Sequence, residues 1–166
     1  MGIRILSEAD IPAYYKLSLK LDEETHFRLY EVNERPYNLK EFTLDTVAFI
    51  KRPNCCILLS EEDGQLVGYL QAIGRSARRV RHVVSINLAI LQAYTGRGLG
   101  AALFSALELW ARQKEIKRLD LSVMLDNVPA QKLYERLGFV KEGLKRGSMF
   151  VDGKYIDEYY MYKWLV

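Results

Sequence analysis

Val84-Ser85-Ile86-Asn87-Leu88-Ala89-Ile90, then Leu91-Gln92-Ala93-Tyr94, then Thr95-Gly96-Arg97-Gly98-Leu99-Gly100, running on through Leu103, Ala106, Leu107 and Trp110, is the stretch that decides the fold. Val84, Ile86, Leu88 and Ile90 alternate with Ser85, Asn87 and Ala89, a strand period with both faces fairly apolar. The residues after Gly98 recur at helical spacing. A strand passing through glycines into a helix makes a seat for an anion. The first backbone N–H groups of the helix have no partner in their own helix, and their dipoles favour negative charge. Glycine lets a phosphate reach that backbone without meeting a Cβ. The glycines taken alone are explained as well by a plain strand-to-helix turn.

Outward from this stretch, helices and strands alternate with hairpins. Ile3 to Leu6 predicts a short first strand, and Asp10 an N-cap for a helix with Pro12 in its first turn, carrying Tyr14, Tyr15, Ser18 and Leu19. A polar, aromatic-studded stretch runs from Glu23 to Tyr37. Asn38 with Glu41 opens a second helix that stops before Pro53. Cys56 to Leu59 and Leu66 to Ile73 predict a hairpin turning at Glu62-Asp63-Gly64-Gln65. Downstream, Leu119, Leu121 and Val123 mark a strand. Pro129 to Leu137 mark a helix with Ala130, Leu133, Tyr134 and Leu137 on its stripe, ended by Gly138. Asp152-Gly153 joins a closing pair of strands that finishes near Trp164. Hairpins mixed with crossovers give an α+β class with a mixed, mostly antiparallel sheet flanked by helices.

The 166 residues suffice for one well-buried domain over 1–166, which needs neither a metal nor a disulfide staple. With 49% hydrophobic and 27% charged residues, the chain is neither disordered nor low in complexity. No apolar run approaches the ~20 residues that span a bilayer, and Glu8 and Asp10 interrupt any signal-peptide core. The net charge of +3 is slight for a nucleic-acid or membrane partner. Adjacent Cys55 and Cys56 cannot bridge separate elements, so they are expected as small buried residues of a reduced, cytoplasmic protein. The dense basic segment Arg75, Arg78, Arg79, Arg81 and His82 is most simply an exposed hairpin end. A CoA 3′-phosphate, an acidic acceptor or RNA are its alternative partners, and it lacks the interleaved aromatics that stack bases.

Two general phosphate motifs fail at the glycine turn. A Walker loop requires Gly-Lys-Ser/Thr, which is missing. A dinucleotide fingerprint requires Gly-x-Gly-x-x-Gly and an acid at the end of the next strand, whereas the spacing here is Gly-x-Gly-x-Gly and Asp120 lies near its strand's start. The turn instead resembles the acetyl-CoA motif of the GNAT acyltransferase superfamily, Gln/Arg-x-x-Gly-x-Gly/Ala, at positions 95 to 100 with Thr95 in place of Gln/Arg. Asn127, Ala130, Leu133-Tyr134-Glu135 and Leu137-Gly138-Phe139 are similar to that family's second signature, Asn-x-x-Ala-x-x-Leu-Tyr-x-x-x-Gly-Phe. The order of elements also matches from Ile3 to Trp164. Val151 to Met161 is similar to bacterial members that acetylate small amines or amino-acid derivatives, in a family that also holds ribosomal-protein and polyamine acetyltransferases.

The resemblance implies an acetyl-CoA-dependent N-acetyltransferase that works by direct transfer in a ternary complex, without a metal. It implies two neighbouring strands splayed apart, here those containing Leu88 to Ile90 and Leu119 to Val123, with the pantetheine arm between them. Leu88, Ala89 and Ile90 would then hold the arm through their backbone, and an N–H aimed at developing negative charge is worth about 3 kcal/mol. Thr95, Gly96, Arg97, Gly98, Leu99, Gly100, Asn127 and Lys132 would bind the cosubstrate. Tyr134 matches the general acid that protonates the departing thiolate. Some relatives carry a Glu base where Ser122 stands, and Glu23, Glu24, His26 and Glu31 lie in the segment that covers the acceptor pocket in the family. The expected partner is an amine on a small molecule or peptide. Many relatives are homodimers, for which the aromatic-rich strand Tyr155, Tyr159, Tyr160, Tyr162 and Trp164 is a candidate interface or else core. Thr95 and Ser122 motivate one alternative, a CoA-binding sensor without turnover.

Overall fold

The computed structural model describes residues 2–35 and 38–166; Pro36 and Tyr37, the end of the expected polar stretch, lie outside the described residues. The elements run β1 (Gly2–Ile5), α1 (Ile11–Glu24), α2 (Leu39–Ile50), β2 (Cys56–Glu62), β3 (Gln65–Gly74), β4 (Val83–Ile90), α3 (Leu99–Gln113), β5 (Arg118–Met124), α4 (Val128–Arg136), β6 (Val140–Val151) and β7 (Lys154–Trp164). Local chemistry sets most of these bounds. The Asn38 carboxamide oxygen accepts from Glu41 N–H at 3.0 Å and starts α2. Asp63 and Gly64, at φ 49° and 76°, make the two-residue turn between β2 and β3. Gly138, at φ 87°, follows α4.

One seven-stranded sheet has the order β1-β2-β3-β4-β5-β7-β6. Its pairings are antiparallel except β4 with β5. Helices cover both faces, which explains why the β2 strand is a continuous apolar run rather than an alternating one. Cys56 and Leu58 point toward α3, where Leu103, Phe104, Leu107 and Trp110 pack on Leu70, Val84 and Leu119. Ile57 and Leu59 point the other way, toward Ile11, Tyr14, Leu17 and Leu21 of α1 and Phe42 of α2. Each fully buried leucine in these two cores stabilises the fold by about 1.5–3 kcal/mol. Phe104, absent from the stripe expected for α3, is among the largest fully buried side chains.

Two local expectations need correction. Asp10 precedes α1 but caps nothing in it, because Arg4 holds its carboxylate at 2.7 and 2.8 Å and Ser7 N–H donates to it at 2.8 Å. The buried face of α1 is Ile11, Tyr14, Leu17, Ser18, Leu21 and Asp22, while Leu19 is exposed. The basic segment does form an exposed connection between β3 and β4. It stands at the opposite end of β4 from the glycine turn, with the strand's own length, about 23 Å at ~3.3 Å per residue, between them. In β7, Lys141, Lys145 and Arg118 lie over the rings of Tyr159, Tyr160 and Tyr162 at 4.4, 5.2 and 4.4 Å, so basic side chains cover these aromatics.

Candidate active site

The sheet comes apart in its middle. β4 stays paired with β3 as far as Ile90 opposite Gly68, and β5 stays paired with β7 as far as Met124 opposite Glu158. Between themselves β4 and β5 pair only from Val83–Arg118 to Ser85–Asp120. Past that point each strand follows its outer neighbour, and the edge of β4 from Ile86 to Ile90 has lost β5 as a partner. The gap opens into a cleft of about 1200 Å³ whose lining includes Leu88, Ala89 and Ile90. Asp120 sits at the closed end, opposite Ser85 and 2.6 Å from Arg118 Nε.

The glycine turn forms one mouth of the cleft. Leu91 N–H bonds to the Val67 carbonyl at 2.9 Å, and a 3-10 turn at Gln92–Tyr94 follows. Gly96 and Gly98 then take left-handed conformations at φ 74° and 83°, and a Cβ on either would meet nothing within 4 Å. The first bond inside α3 runs from Ala102 N–H to the Gly98 carbonyl, so the N–H groups of Leu99, Gly100 and Ala101 have no partner inside the helix. Gly100 serves close packing instead, since a Cβ there would lie 2.7 Å from Leu133 Cδ2. These features suit a pyrophosphate: free donors, a helix dipole and open space in front of them.

Thr95, Gly96, Gly98, Leu99, Gly100, Asn127 and Tyr134 all line the cleft. Thr95 is also spent locally, its hydroxyl donating to the Gln92 carbonyl at 2.9 Å. Two expected cosubstrate contacts are not among the lining residues. Arg97 folds back to donate to the Ala93 carbonyl at 2.8 Å, over the Tyr94 ring, with Glu62 at 3.5 Å. Lys132 is exposed on the outer side of α4. Asn127 caps α4, accepting from Ala130 N–H at 3.3 Å. Tyr134 is 8% exposed, edge-on to Phe104 at 5.8 Å and tilted against Phe139 at 5.9 Å. Burial pushes its phenol up to about 12, because the phenolate would lose its hydration.

The other mouth lies on the α1–α2 face. Glu24 and His26 line it, while Glu23 and Glu31 do not. The Glu24 carboxylate accepts from Gln92 N–H at 2.8 Å and so ties α1 to the turn after β4. His26 lies 3.3 Å from Asp126. Ser122 also lines the cleft, as does Glu158, whose carboxylate is held by Lys145 at 2.9 Å and Ser148 at 2.7 Å. Sequence reasoning missed the strongest polar feature here. Asp22 binds Arg28 Nε at 2.7 Å and Arg35 at 2.8 and 3.0 Å, and Arg28 Nη2 donates to the Tyr69 hydroxyl at 2.9 Å. The available signal was a carboxylate falling on the apolar stripe of α1, where an unpaired charge is not tolerated. No group of three or more His, Cys, Asp or Glu among the described residues could hold a metal ion, and no described helix is long and apolar enough to cross a membrane.

Residues 19–139 match the family model described as "Acetyltransferase (GNAT) family". The chain is similar to the L-amino acid N-acetyltransferase AaaT of Escherichia coli (strain K12), 32% identical over 66% of this chain and 68% of that protein. It is also similar to a Bacillus subtilis (strain 168) protein provisionally named a ribosomal protein bS18 alanine N-acetyltransferase, 31% identical over 82% of this chain and 87% of that one. In fold it superposes with a TM-score of 0.87 on yncA of Salmonella typhimurium, a provisionally named acetyltransferase solved with its cofactor acetyl-CoA, at 24% identity over 100% of this chain and 94% of that chain. The family and its named members favour an enzyme over a sensor module. This chain belongs to the acetyltransferase (GNAT) family, and it is an N-acetyltransferase.

Proposed function

We propose that the chain transfers an acetyl group from acetyl-CoA to a primary amine by direct attack while both are bound. The observation that carries this reading is a single cleft, opened by the divergence of β4 from β5, with the glycine turn at one mouth and the α1–α2 face at the other. When bound, acetyl-CoA supplies an acetyl group activated as a thioester. The N–H groups of Leu99, Gly100 and Ala101 take the pyrophosphate, and Gly96 and Gly98 keep its approach clear. Backbone groups of Leu88 and Ile90, freed on the β5 side, hold the pantetheine arm and stabilise charge developing on the thioester oxygen. Asn127 holds the start of α4 and thereby the position of Tyr134.

As the C–S bond breaks, Tyr134 donates its phenolic proton to the departing sulfur, and the proton released by the acylated amine nitrogen restores the phenol through solvent. A phenol raised by burial stays protonated at neutral pH, as a proton donor must. An ordinary alkyl thiol ionises near ~8.5, but a thiolate leaving beside Tyr134 shares the same dry surroundings, which disfavour that anion as well. The acceptor enters from the α1–α2 face. The test is release of free CoA thiol from acetyl-CoA against amines, amino acids, polyamines and peptides, with acetyl-CoA binding measured in parallel. Turnover with one class supports the reading, and absence of acetyl-CoA binding overturns it.

A further inference from the structure

Beside the acceptor mouth the fold buries more positive than negative charge. The Asp22 side chain is 4% exposed, and the two guanidiniums it binds, Arg28 and Arg35, are 13% and 11% exposed. Two cations thus share one anion. Neither neighbouring acid corrects the imbalance: Glu24 is bonded to Gln92 N–H, and Asp45 of α2, though it lines the cleft, is beyond ion-pair distance of both arginines. Arg35 also lies over the Tyr30 ring at 4.7 Å and has Asp22 as a bidentate partner. Arg28 is the less satisfied of the two. Its Nε is taken by Asp22 and its Nη2 by Tyr69, whereas Nη1 is buried and has no hydrogen-bond partner.

A buried charged donor without an acceptor is costly, and in a cleft-lining side chain the missing acceptor points to a ligand. The position is suggestive too. Tyr69, which orients Arg28, pairs across the sheet with Ala89, in the stretch of β4 freed from β5. Resting on the N-acetyltransferase reading above, we infer that the acceptor is an amino carboxylic acid in free form, and that Arg28 Nη1 receives its carboxylate. The bound carboxylate balances the second guanidinium and fixes the amine relative to β4. Asp22 and Tyr69 are positioning residues that aim the guanidinium. A polyamine would meet the same excess positive charge and be repelled, and a protein N-terminus would bring no carboxylate to that point.

The test compares free L-amino acids with the carboxamides of the same side chains, alongside spermidine and an N-terminal alanine peptide, by CoA thiol release. The amine of an amide is the weaker base, so rates are compared per unprotonated amine. Loss of a charge-assisted hydrogen bond predicts kcat/KM about 10–100-fold higher for acid than for amide. In Arg28→Gln that preference falls to near unity through the KM for the acid, while the Kd for acetyl-CoA stays as in the parent chain. A purely structural role for Arg28 would lower acid and amide together and overturn the inference. If Arg28→Gln does not fold, Tyr69→Phe gives a smaller loss of the same preference. Amides, spermidine or peptide turned over as well as free acids would overturn the inference and leave the transferase reading intact. Acetyl-CoA binding without turnover is resolved by calorimetry of amino acids on the CoA-bound protein, where absence of binding overturns it. Absence of acetyl-CoA binding removes both.

Discussion

Replacing Tyr134 with phenylalanine removes one oxygen and leaves the ring in contact with Phe104 and Phe139. The volume is nearly conserved, so the expected change in stability is below about 1.5 kcal/mol. Loss of a positioned acid predicts kcat lower by about 10²–10⁴-fold, which is roughly 3–5 kcal/mol in the barrier. The elevated phenol also shapes the pH profile. With ionisation near about 12, the side chain is still about 99% protonated at pH 10, where an ordinary phenol would be half ionised. The parent enzyme should therefore show no loss of kcat from this group between pH 9 and about 11. Stability carries the same signature. The folded value lies above the unfolded value near ~10, so this contribution is full below pH 10 and is lost as pH rises through about 12, up to roughly 2–3 kcal/mol that the Phe variant does not lose. The assay is single-turnover thiol release with acetyl-CoA and amine saturating, which isolates chemistry from product release. An unchanged rate in Tyr134→Phe under those conditions removes Tyr134 from the mechanism.

Other consequences are equally open to measurement. Gly98→Ala forces a side chain into a backbone at φ 83°, which costs about 1–2 kcal/mol, or a Tm lower by about 2–8 °C. Its methyl enters the open space before α3, so calorimetry should also show acetyl-CoA binding at least about 10-fold weaker, and an unchanged Kd would mean that phosphates bind elsewhere. Cys55 and Cys56 are both buried, and burial pushes the Cys56 thiol up to about 12, so a disulfide reagent at pH 8 should label neither in the native protein and both in urea. Fast native labelling would show that β2 opens locally.

The extent to which the chain announced itself follows the range of the forces involved. Asn38 with Glu41, the Asp63-Gly64 turn and Gly138 act within a few residues, and each does in the structure what its spacing implies. The strand, the glycine turn and the helix from Val83 to Gln113 were legible for the same reason: periodicity and positive φ are local properties. Asp10 shows the limit even at short range, because Arg4 and Ser7 take the carboxylate that would have capped α1. Arg97 and Lys132 stand at motif positions, yet a motif fixes the backbone and not the direction of a long flexible side chain. Arg97 folded onto Ala93 and Tyr94, where its stem and charge both find partners.

The sequence by itself determined the order of elements, the glycine turn that leads into α3 and the position of Tyr134 on α4. Only the tertiary structure decided that β4 and β5 part after Ser85 and Asp120, and that Asp22, Arg28, Arg35 and Tyr69 meet beside the gap. The divergence is a competition in which β3 keeps β4 and β7 keeps β5, and no single strand encodes it. The charge cluster joins a helix, a loop and a strand, because a buried carboxylate must find cations wherever the fold brings them within hydrogen-bond reach.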